Sequence, residues 1–220
     1  MELLQGVGAG NLREQVVALV RADIVSGRTA PGAVYSVPGL ATELGVSTTP
    51  VREALLELSR SGLLVAMRNR GFRVELLSRE ALDSLFTMRD LLERFALETL
   101  ARQGLRDRDT LMALADEVSN AVAADNLPKY ITSDRTFHEA LVGQVGNPFL
   151  TKMVMQLRDD MRLYGIDSSE GRRRQKESVK EHYQMVNLAD QGNVKEASDL
   201  ISRHILSWKP LFEAALAQYS

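Results

Sequence analysis

The chain has 220 residues, which is enough for one large or two modest domains with cores of their own. Its 25% charged and 45% apolar residues are typical of globular proteins, and its net charge of −2 argues against a surface that binds polyanions everywhere. The absence of cysteine excludes disulfides, thiolate metal ligands and a thiol nucleophile. No apolar run approaches the length of a membrane span, and the first residues do not resemble a signal peptide, so we expect a cytoplasmic protein without a membrane segment.

The first elements along the chain are three predicted helices. Apolar residues at helical spacing predict a helix over 12–26, which Gly27 ends. A short helix over 40–44 follows and is closed by Gly45. A third helix is predicted between an N-cap at Ser47 and a stop at Gly62. Two short helices joined by a tight turn that contains glycine are the helix-turn-helix pattern.

A basic hairpin is predicted directly after these helices. Two short strands, over 63–67 and 72–76, flank a turn in which Asn69 and Gly71 can adopt positive φ. The segment from Arg60 to Arg73 contains four arginines and no acidic residue. A solvated arginine cluster is the alternative for such a run by itself. Its position after a helix-turn-helix favours a winged helix-turn-helix that binds DNA.

The second part of the chain shows only helical signals. Asn126 and Asn147 are predicted N-caps, Gly146 and Gly192 are predicted stops, and 167–174 is predicted to be a polar link. We therefore expect a DNA-binding domain over 1–77 and an all-α domain over 78–220. The six predicted helices span 78–101, 107–124, 128–145, 148–164, 172–191 and 194–217.

The three histidines of the chain, His138, His182 and His204, each fall on the apolar stripe of a different predicted helix. Asp134 precedes the first of them by one helical turn. Three imidazoles and a carboxylate that face one interior form a donor set suited to a divalent metal. The alternative for any one of these histidines is a hydrogen-bonded core residue. We expect a metal site, with zinc as the first candidate and nickel or manganese as alternatives.

Motifs along nearly the whole chain resemble a known family. In the first part they are Pro31-Gly32, LATELGVSTTPVREALLELSRSGLL over 40–64 and RNRGFRV over 68–74. In the second part they are MRDLLE over 88–93, DRTFH over 134–138, GNPFL over 146–150, Glu181-His182 and His204. The first set resembles the winged helix of GntR-type bacterial transcription regulators, and the second resembles the FCD ligand domain of the FadR-type subgroup.

The resemblance implies a mainly α fold. A winged helix-turn-helix of three helices and a β-hairpin wing would precede an FCD-like bundle of about six helices. The metal ligands of the family are an Asp and a His four residues apart and two later histidines. They match Asp134, His138, His182 and His204 one by one.

The predicted metal site leaves room for an exogenous oxygen donor, because the metal can accept more than four ligands. The resemblance implies that the arginine of the MRDLLE stretch, Arg89, lines an effector pocket, where its guanidinium would match a carboxylate. A surface ion pair between Arg89 and Glu93 is the alternative. Arg158 and Arg162 are further candidates. We expect the effector to be a small carboxylic acid.

The predicted DNA contacts lie at the start of the third helix and in the wing. Arg52 can bind guanine in bidentate fashion, and the wing residues can contact the backbone and minor groove. Thr48 stands where the family pattern commonly has arginine, and 36–39 lacks an arginine found in some relatives, so the usual operator sequence is not expected. The candidates are Ser47, Thr48, Thr49, Arg52, Arg68, Arg70, Gly71 and Arg73.

These features together predict a ligand-responsive transcription regulator. One recognition helix reads too few bases for genomic specificity, so a homodimer on a pseudo-palindromic double-stranded operator is expected. The family tendency favours a repressor that is released by its ligand. A metal sensor and a regulator with a purely structural metal are the alternatives. An enzyme that uses Glu139 or Glu181 as a base is not expected, because neighbouring helical residues point in different directions.

Overall fold

In a computed structural model of the chain, residues 9–161 and 165–218 are described, with their side chains from residue 12 onward. These residues form two compact units, which comprise 9–78 and 79–161 together with 165–218. No helix among them is long and apolar enough to cross a membrane.

The first unit contains the predicted winged helix-turn-helix. Its helices are α1 (Ala9–Val25), α2 (Val37–Leu44) and α3 (Thr48–Arg60), and its strands are β1 (Val34–Tyr35), β2 (Leu64–Met67) and β3 (Gly71–Val74). The strands form an antiparallel sheet in the order β1-β3-β2. The two-residue strand β1 was not predicted, since two residues are too short to show an alternating pattern. Helix α2 begins earlier than the predicted residue 40, because the Ser36 side chain accepts a hydrogen bond from the Gly39 amide and caps the first turn.

The predicted hairpin turn is confirmed. Asn69 has φ of +59° and Gly71 has φ of +104°. A Cβ atom at Gly71 would lie 2.2 Å from the backbone oxygen of Tyr35, so glycine is required where β3 passes β1. Val20, Leu55 and Phe72 belong to the apolar core that joins the helices to this sheet.

The second unit is a helical bundle. The helices of its described part are α4 (Arg79–Gln103), α5 (Arg108–Ala123), α6 (Leu127–Gly143), α7 (Pro148–Asp160), α8 (Ser169–Asp190), α9 (Val194–Leu206) and α10 (Lys209–Leu216). Helix α4 packs against α7, α8 and α9, and α5 packs against α6 and α8. The predicted caps at Asn126 and Asn147 accept backbone hydrogen bonds, and Gly146 and Gly192 have positive φ.

Two predicted boundaries in this unit are wrong. The predicted link over 167–174 is mostly helical, because Ser168 caps α8 by accepting a hydrogen bond from the Gly171 amide. The predicted single helix over 194–217 is divided between Leu206 and Lys209. Pro210 explains the division, because it has no amide hydrogen to continue the hydrogen-bond ladder of α9.

Candidate metal centre and nucleic-acid interface

The three histidines meet inside the bundle. His138 on α6, His182 on α8 and His204 on α9 are buried, with exposed fractions of 0%, 0% and 2%. One ring nitrogen from each can be chosen so that all three lie within 4.8 Å of one another. The Nε2 atoms of His138 and His182 are 3.2 Å apart. This geometry agrees with the prediction that the three histidines converge from three different helices.

The predicted fourth ligand, Asp134, lies beside this histidine cluster. Its Oδ1 atom is 3.4 Å from His182 Nε2 and 3.9 Å from His138 Nε2. Its Oδ2 atom accepts a hydrogen bond of 2.7 Å from Arg158 Nη2. One carboxylate oxygen therefore lies toward the histidines while the other is bound by an arginine.

The electrostatics of the cluster favour uncharged imidazoles. Burial lowers the pKa of His182 to about 4, and it lowers the pKa of His138 and of His204 well below the ordinary value. Burial opposes ionisation of Asp134 as well, but Arg158 and the other positive neighbours hold its pKa below the ordinary value. At neutral pH the site thus presents imidazole lone pairs and a carboxylate, which are the protonation states that a divalent metal binds.

The residues fit a divalent metal ion on two further grounds. With metal to nitrogen distances of about 2.0–2.1 Å, two ligands of one ion lie roughly 3 Å apart, close to the 3.2 Å between His138 and His182. The Nδ1 atoms of these two residues are buried without a hydrogen-bond partner, although His138 Nδ1 lies 3.6 Å from Glu93 Oε2. Two uncharged imidazoles that face each other with few other partners are a costly arrangement in a core, and a shared cation would stabilise it.

Arg89 and Arg158 lie in a buried ionic network beside the histidines. Arg89 Nε donates a 2.8 Å hydrogen bond to Glu93 Oε1, and Arg158 Nη1 donates one of 2.8 Å to Glu93 Oε2. The ion pair between Arg89 and Glu93, which the sequence offered as a surface alternative, is therefore formed in the interior. Burial would raise the pKa of Glu93, but the two guanidinium groups lower it below the ordinary value. Arg162, the third effector candidate, lies outside the described residues.

Sequence reasoning missed several polar residues of this interior. Arg174 and Ser178 are buried on α8, and Tyr130 is buried on α6, where burial raises its pKa. The signal was present in the spacing, because 174, 178 and 182 lie four residues apart on one helical face, as do 130, 134 and 138.

The two glutamates weighed as possible bases have different surroundings. Glu181 Oε2 lies 2.8 Å from His204 Nδ1. Glu139 is an exposed residue whose carboxylate pairs with Arg135. Glu181 therefore lies next to the histidines, whereas Glu139 lies at the surface.

The candidate DNA contacts of α3 and the wing are at the surface of the first unit. Ser47 lies at the N-cap position of α3 without making a side-chain capping hydrogen bond. Arg73 is 3.5 Å from Glu75, so part of its charge is compensated. Gly71 is half-buried at the start of β3. The other candidates are exposed: Thr48, Thr49, Arg52, Arg68 and Arg70.

Comparison with known protein families accounts for both units. Residues 12–74 match the model of the gntR family of bacterial regulatory proteins, and residues 84–207 match the FCD domain model. The chain belongs to the GntR family and carries an FCD domain. The winged helix-turn-helix of this family binds DNA, and the chain is a DNA-binding transcription regulator.

Individual relatives agree with this assignment. The chain is 30% identical to the Nta operon transcriptional regulator of Aminobacter aminovorans over 82% of its own length and 85% of the relative. It is 25% identical to the transcriptional repressor GlaR of Escherichia coli over 89% and 93% of the two chains. The structure of E. coli McbR/YncC superposes with a TM-score of 0.78 at 22% identity, covering 98% of this chain and all of that one. These relatives are transcription regulators and not enzymes.

Proposed function

We propose that this regulator senses a small carboxylic acid through a divalent metal bound by Asp134, His138, His182 and His204. In this proposal residues 1–77 bind a pseudo-palindromic operator, and residues 78–220 hold the metal and the acid and form a homodimer. The protein acts as a repressor, which is what the name of its relative GlaR says of that protein. Binding of the acid releases this repressor from DNA. Zinc is the first candidate metal because imidazole and carboxylate ligands suit it, and nickel and manganese are the alternatives.

The observation that carries this proposal is the meeting of three buried imidazoles of strongly lowered pKa with one carboxylate oxygen. A divalent ion held there would bring two positive charges into a region where Arg89 and Arg158 already balance Glu93 and Asp134. Uncompensated charge in an interior is costly, so such an ion would favour an anionic exogenous ligand. A carboxylate supplies both the charge and the oxygen donor.

The two arginines have different roles in the proposal. Arg158 binds Asp134 through Oδ2 and so orients Oδ1 toward the histidines. Arg89 contacts Glu93 through Nε, and a guanidinium has four further N–H donors with which it can bind the carboxylate of an acid. Loss of Arg89 should therefore weaken acid binding, while loss of Arg158 should disturb the metal ligand itself.

The homodimer is proposed from five exposed apolar residues on α4 and α7, two helices that pack against each other, and we call these five residues the apolar stripe. Met88, Leu91 and Phe95 on α4 and Phe149 and Met153 on α7 have exposed fractions between 40% and 80%. Clusters of exposed large apolar side chains are typical of interaction surfaces. A second copy is the occupant proposed here, because two recognition helices related by a two-fold axis are what reading of a palindromic operator requires.

The dimer is tested by the molar mass in solution. Phe95→Glu is expected to shift the protein toward a monomer in light scattering after size exclusion, since it places a charge within the stripe. Leu206→Glu is the matched control, because Leu206 is a similarly exposed apolar residue on α9, outside the stripe. A dimer that withstands Phe95→Glu together with Leu91→Glu would contradict the proposed surface.

The sensing mechanism is tested with protein of known metal content and a DNA fragment selected from a random pool. Metal analysis is expected to find one equivalent per chain, and His138→Ala to remove it. Acetate, succinate and citrate are then added to the DNA complex with and without a chelator. Release by an acid that requires the metal and is lost in Arg89→Ala supports the proposal.

Three other outcomes would contradict it. Release of DNA by metal alone would make the protein a metal sensor. DNA affinity that is indifferent to a broad panel of acids would reduce the metal to a structural role. Wild-type protein that binds no divalent metal would remove the basis of the proposal altogether.

A further inference from the structure

We propose that Arg174 and Glu181 form a supporting pair that orients His204 for metal binding. This inference rests on the metal site proposed above and concerns two residues outside the ligand set. Both lie on α8, seven residues and two helical turns apart, while His204 lies on α9. The pair would thus act as a positioning device that joins two helices at the metal centre.

The first step is the contact between Glu181 and the His204 ring. Glu181 Oε2 lies 2.8 Å from His204 Nδ1. An ionised carboxylate only accepts hydrogen bonds, so Nδ1 carries the proton in this contact. The proton then occupies the nitrogen on the Glu181 side, and Nε2 keeps the lone pair that a metal requires.

The second step is the position of Arg174, whose side chain is 5% exposed. Its Nη2 atom donates hydrogen bonds to Glu181 Oε2 and, at 3.1 Å, to the backbone oxygen of His204. Its guanidinium lies 5.3 Å from the centre of the Trp208 ring. The same arginine therefore holds both the carboxylate that orients the His204 ring and the backbone of His204 itself.

The other two histidines have no equivalent support in the part of the chain that the structure describes. His138 Nδ1 lies 3.6 Å from Glu93 Oε2, which is too long for a hydrogen bond, and Glu93 is already bound by Arg89 and Arg158. His182 Nδ1 is buried without a hydrogen-bond partner. Disrupting the supporting pair should therefore act on His204 in particular.

The test measures metal affinity in the full-length protein. Zinc dissociation constants are obtained by competition with a chromophoric chelator for the wild type, Glu181→Ala and Arg174→Met. Loss of such a supporting partner typically weakens metal binding about 10- to 100-fold, and we expect this range for Glu181→Ala. Glu170→Ala and Arg173→Met are the matched controls, because Glu170 and Arg173 form an exposed ion pair on the same helix. Both controls are expected to stay within about twofold of the wild type, since exposed pairs contribute little.

Two further measurements separate positioning from general damage to the fold. The visible spectrum of the cobalt-loaded protein reports the ligand geometry, and we expect it to change in Glu181→Ala and to remain unchanged in both controls. Arg174→Lys keeps a charged donor, so it should recover most of the affinity lost in Arg174→Met. Equal losses in these two Arg174 variants would overturn the role of Arg174.

The outcomes also separate this inference from the proposed function. If His204→Ala loses the metal while Glu181→Ala binds zinc as tightly as the wild type, the supporting pair is wrong and the metal site stands. If the wild type binds no metal, both the proposed function and this inference are wrong. A weaker site in Glu181→Ala with an unchanged cobalt spectrum would overturn the orienting role of Glu181.

Discussion

The two units of this protein differ in where they keep their functional side chains. The first unit has an apolar core, and its candidate DNA contacts, such as Arg52 and Arg70, are at the surface. The second unit keeps its charged and titratable candidates inside, including Arg89 and His138. Substitution of the exposed candidate residues in the first unit should therefore weaken DNA binding and leave the free energy of unfolding nearly unchanged. Substitution of the buried candidates in the second unit should change both ligand binding and the free energy of unfolding.

The largest expected effect comes from removing a buried arginine. Arg158 is 10% exposed and bound to Glu93 and Asp134. Arg158→Met would therefore remove the arginine that binds Asp134 and leave the buried Glu93 with Arg89 as its remaining arginine partner. Such losses cost about 3–5 kcal/mol in the free energy of unfolding. Arg135 is the matched control, because it also binds two carboxylates, those of Glu139 and Asp159, but is 42% exposed.

Urea unfolding of both variants measures this difference. Arg135→Met is expected to cost less than about 1 kcal/mol, as exposed ion pairs usually do. Equal costs for the two variants would show that the interior of the second unit tolerates charge as the surface does. The contrast between the units would then disappear.

The counterpart in the first unit is Arg52, which is exposed near the start of α3. Arg52→Ala is expected to weaken binding to a preferred DNA sequence by about 1–3 kcal/mol, because a bidentate contact with guanine is lost. The free energy of unfolding should change by less than about 0.5 kcal/mol. Fluorescence anisotropy with labelled DNA measures the binding, and urea unfolding measures the stability.

Arg60, at the other end of the same helix, provides the control for Arg52. Residues at the N-terminal end of a recognition helix reach the bases, so Arg60→Ala should leave sequence preference intact. If Arg60→Ala lost preference and Arg52→Ala retained it, the orientation of α3 on DNA assumed here would be wrong.

The buried histidines should make the stability of the metal-free protein depend on pH. Burial lowers the pKa of His182 from 6.5 to about 4, so the unfolded chain takes up a proton first as the pH falls. The contribution of the uncharged His182 to the free energy of unfolding is therefore fully present above about pH 6.5 and is lost as the pH falls toward 4. Between pH 7 and 5, His182 alone should lower the free energy of unfolding by about 2 kcal/mol.

Chemical unfolding of chelator-treated protein at several pH values tests this dependence. His138 and His204 shift in the same direction and should steepen the loss. In His182→Gln the loss over the same interval should be smaller by roughly the contribution of one histidine. A free energy of unfolding that stays level from pH 7 to 5 would mean that the three imidazoles are not held uncharged in the interior.

The sequence predicted the helices well because capping and glycine signals are local. Asn126 and Asn147 cap the helices that were expected to begin there. The convergence of the three histidines was also predictable, since apolar stripes of neighbouring helices must face a common interior. Local sequence patterns were therefore sufficient to predict the helices of the fold and the three histidines of the candidate metal site.

Burial of charge could not be predicted in the same way. Arg158 is held by Glu93, which lies 65 residues earlier in the chain, and no local pattern reports such a partner. Arg174 is the last of three consecutive arginines, which taken alone are typical of a solvated face. An arginine can be buried where the tertiary structure brings carboxylates to it. The burial of Arg158 and Arg174 could therefore be recognised only from the folded bundle.

The smallest expected effect distinguishes two arginines of the wing. Arg70 is exposed in the turn, whereas Arg73 lies 3.5 Å from Glu75 and shares its charge with that carboxylate. A phosphate contact by Arg70 would release one condensed counterion, so Arg70→Gln should reduce the slope of log affinity against log salt by about 1 on every DNA sequence. Arg73→Gln should reduce it by less, because part of the charge of Arg73 is already neutralised. Titration of labelled DNA across a salt series measures both slopes, and a larger change for Arg73 would place the DNA backbone nearer to β3 than to the turn.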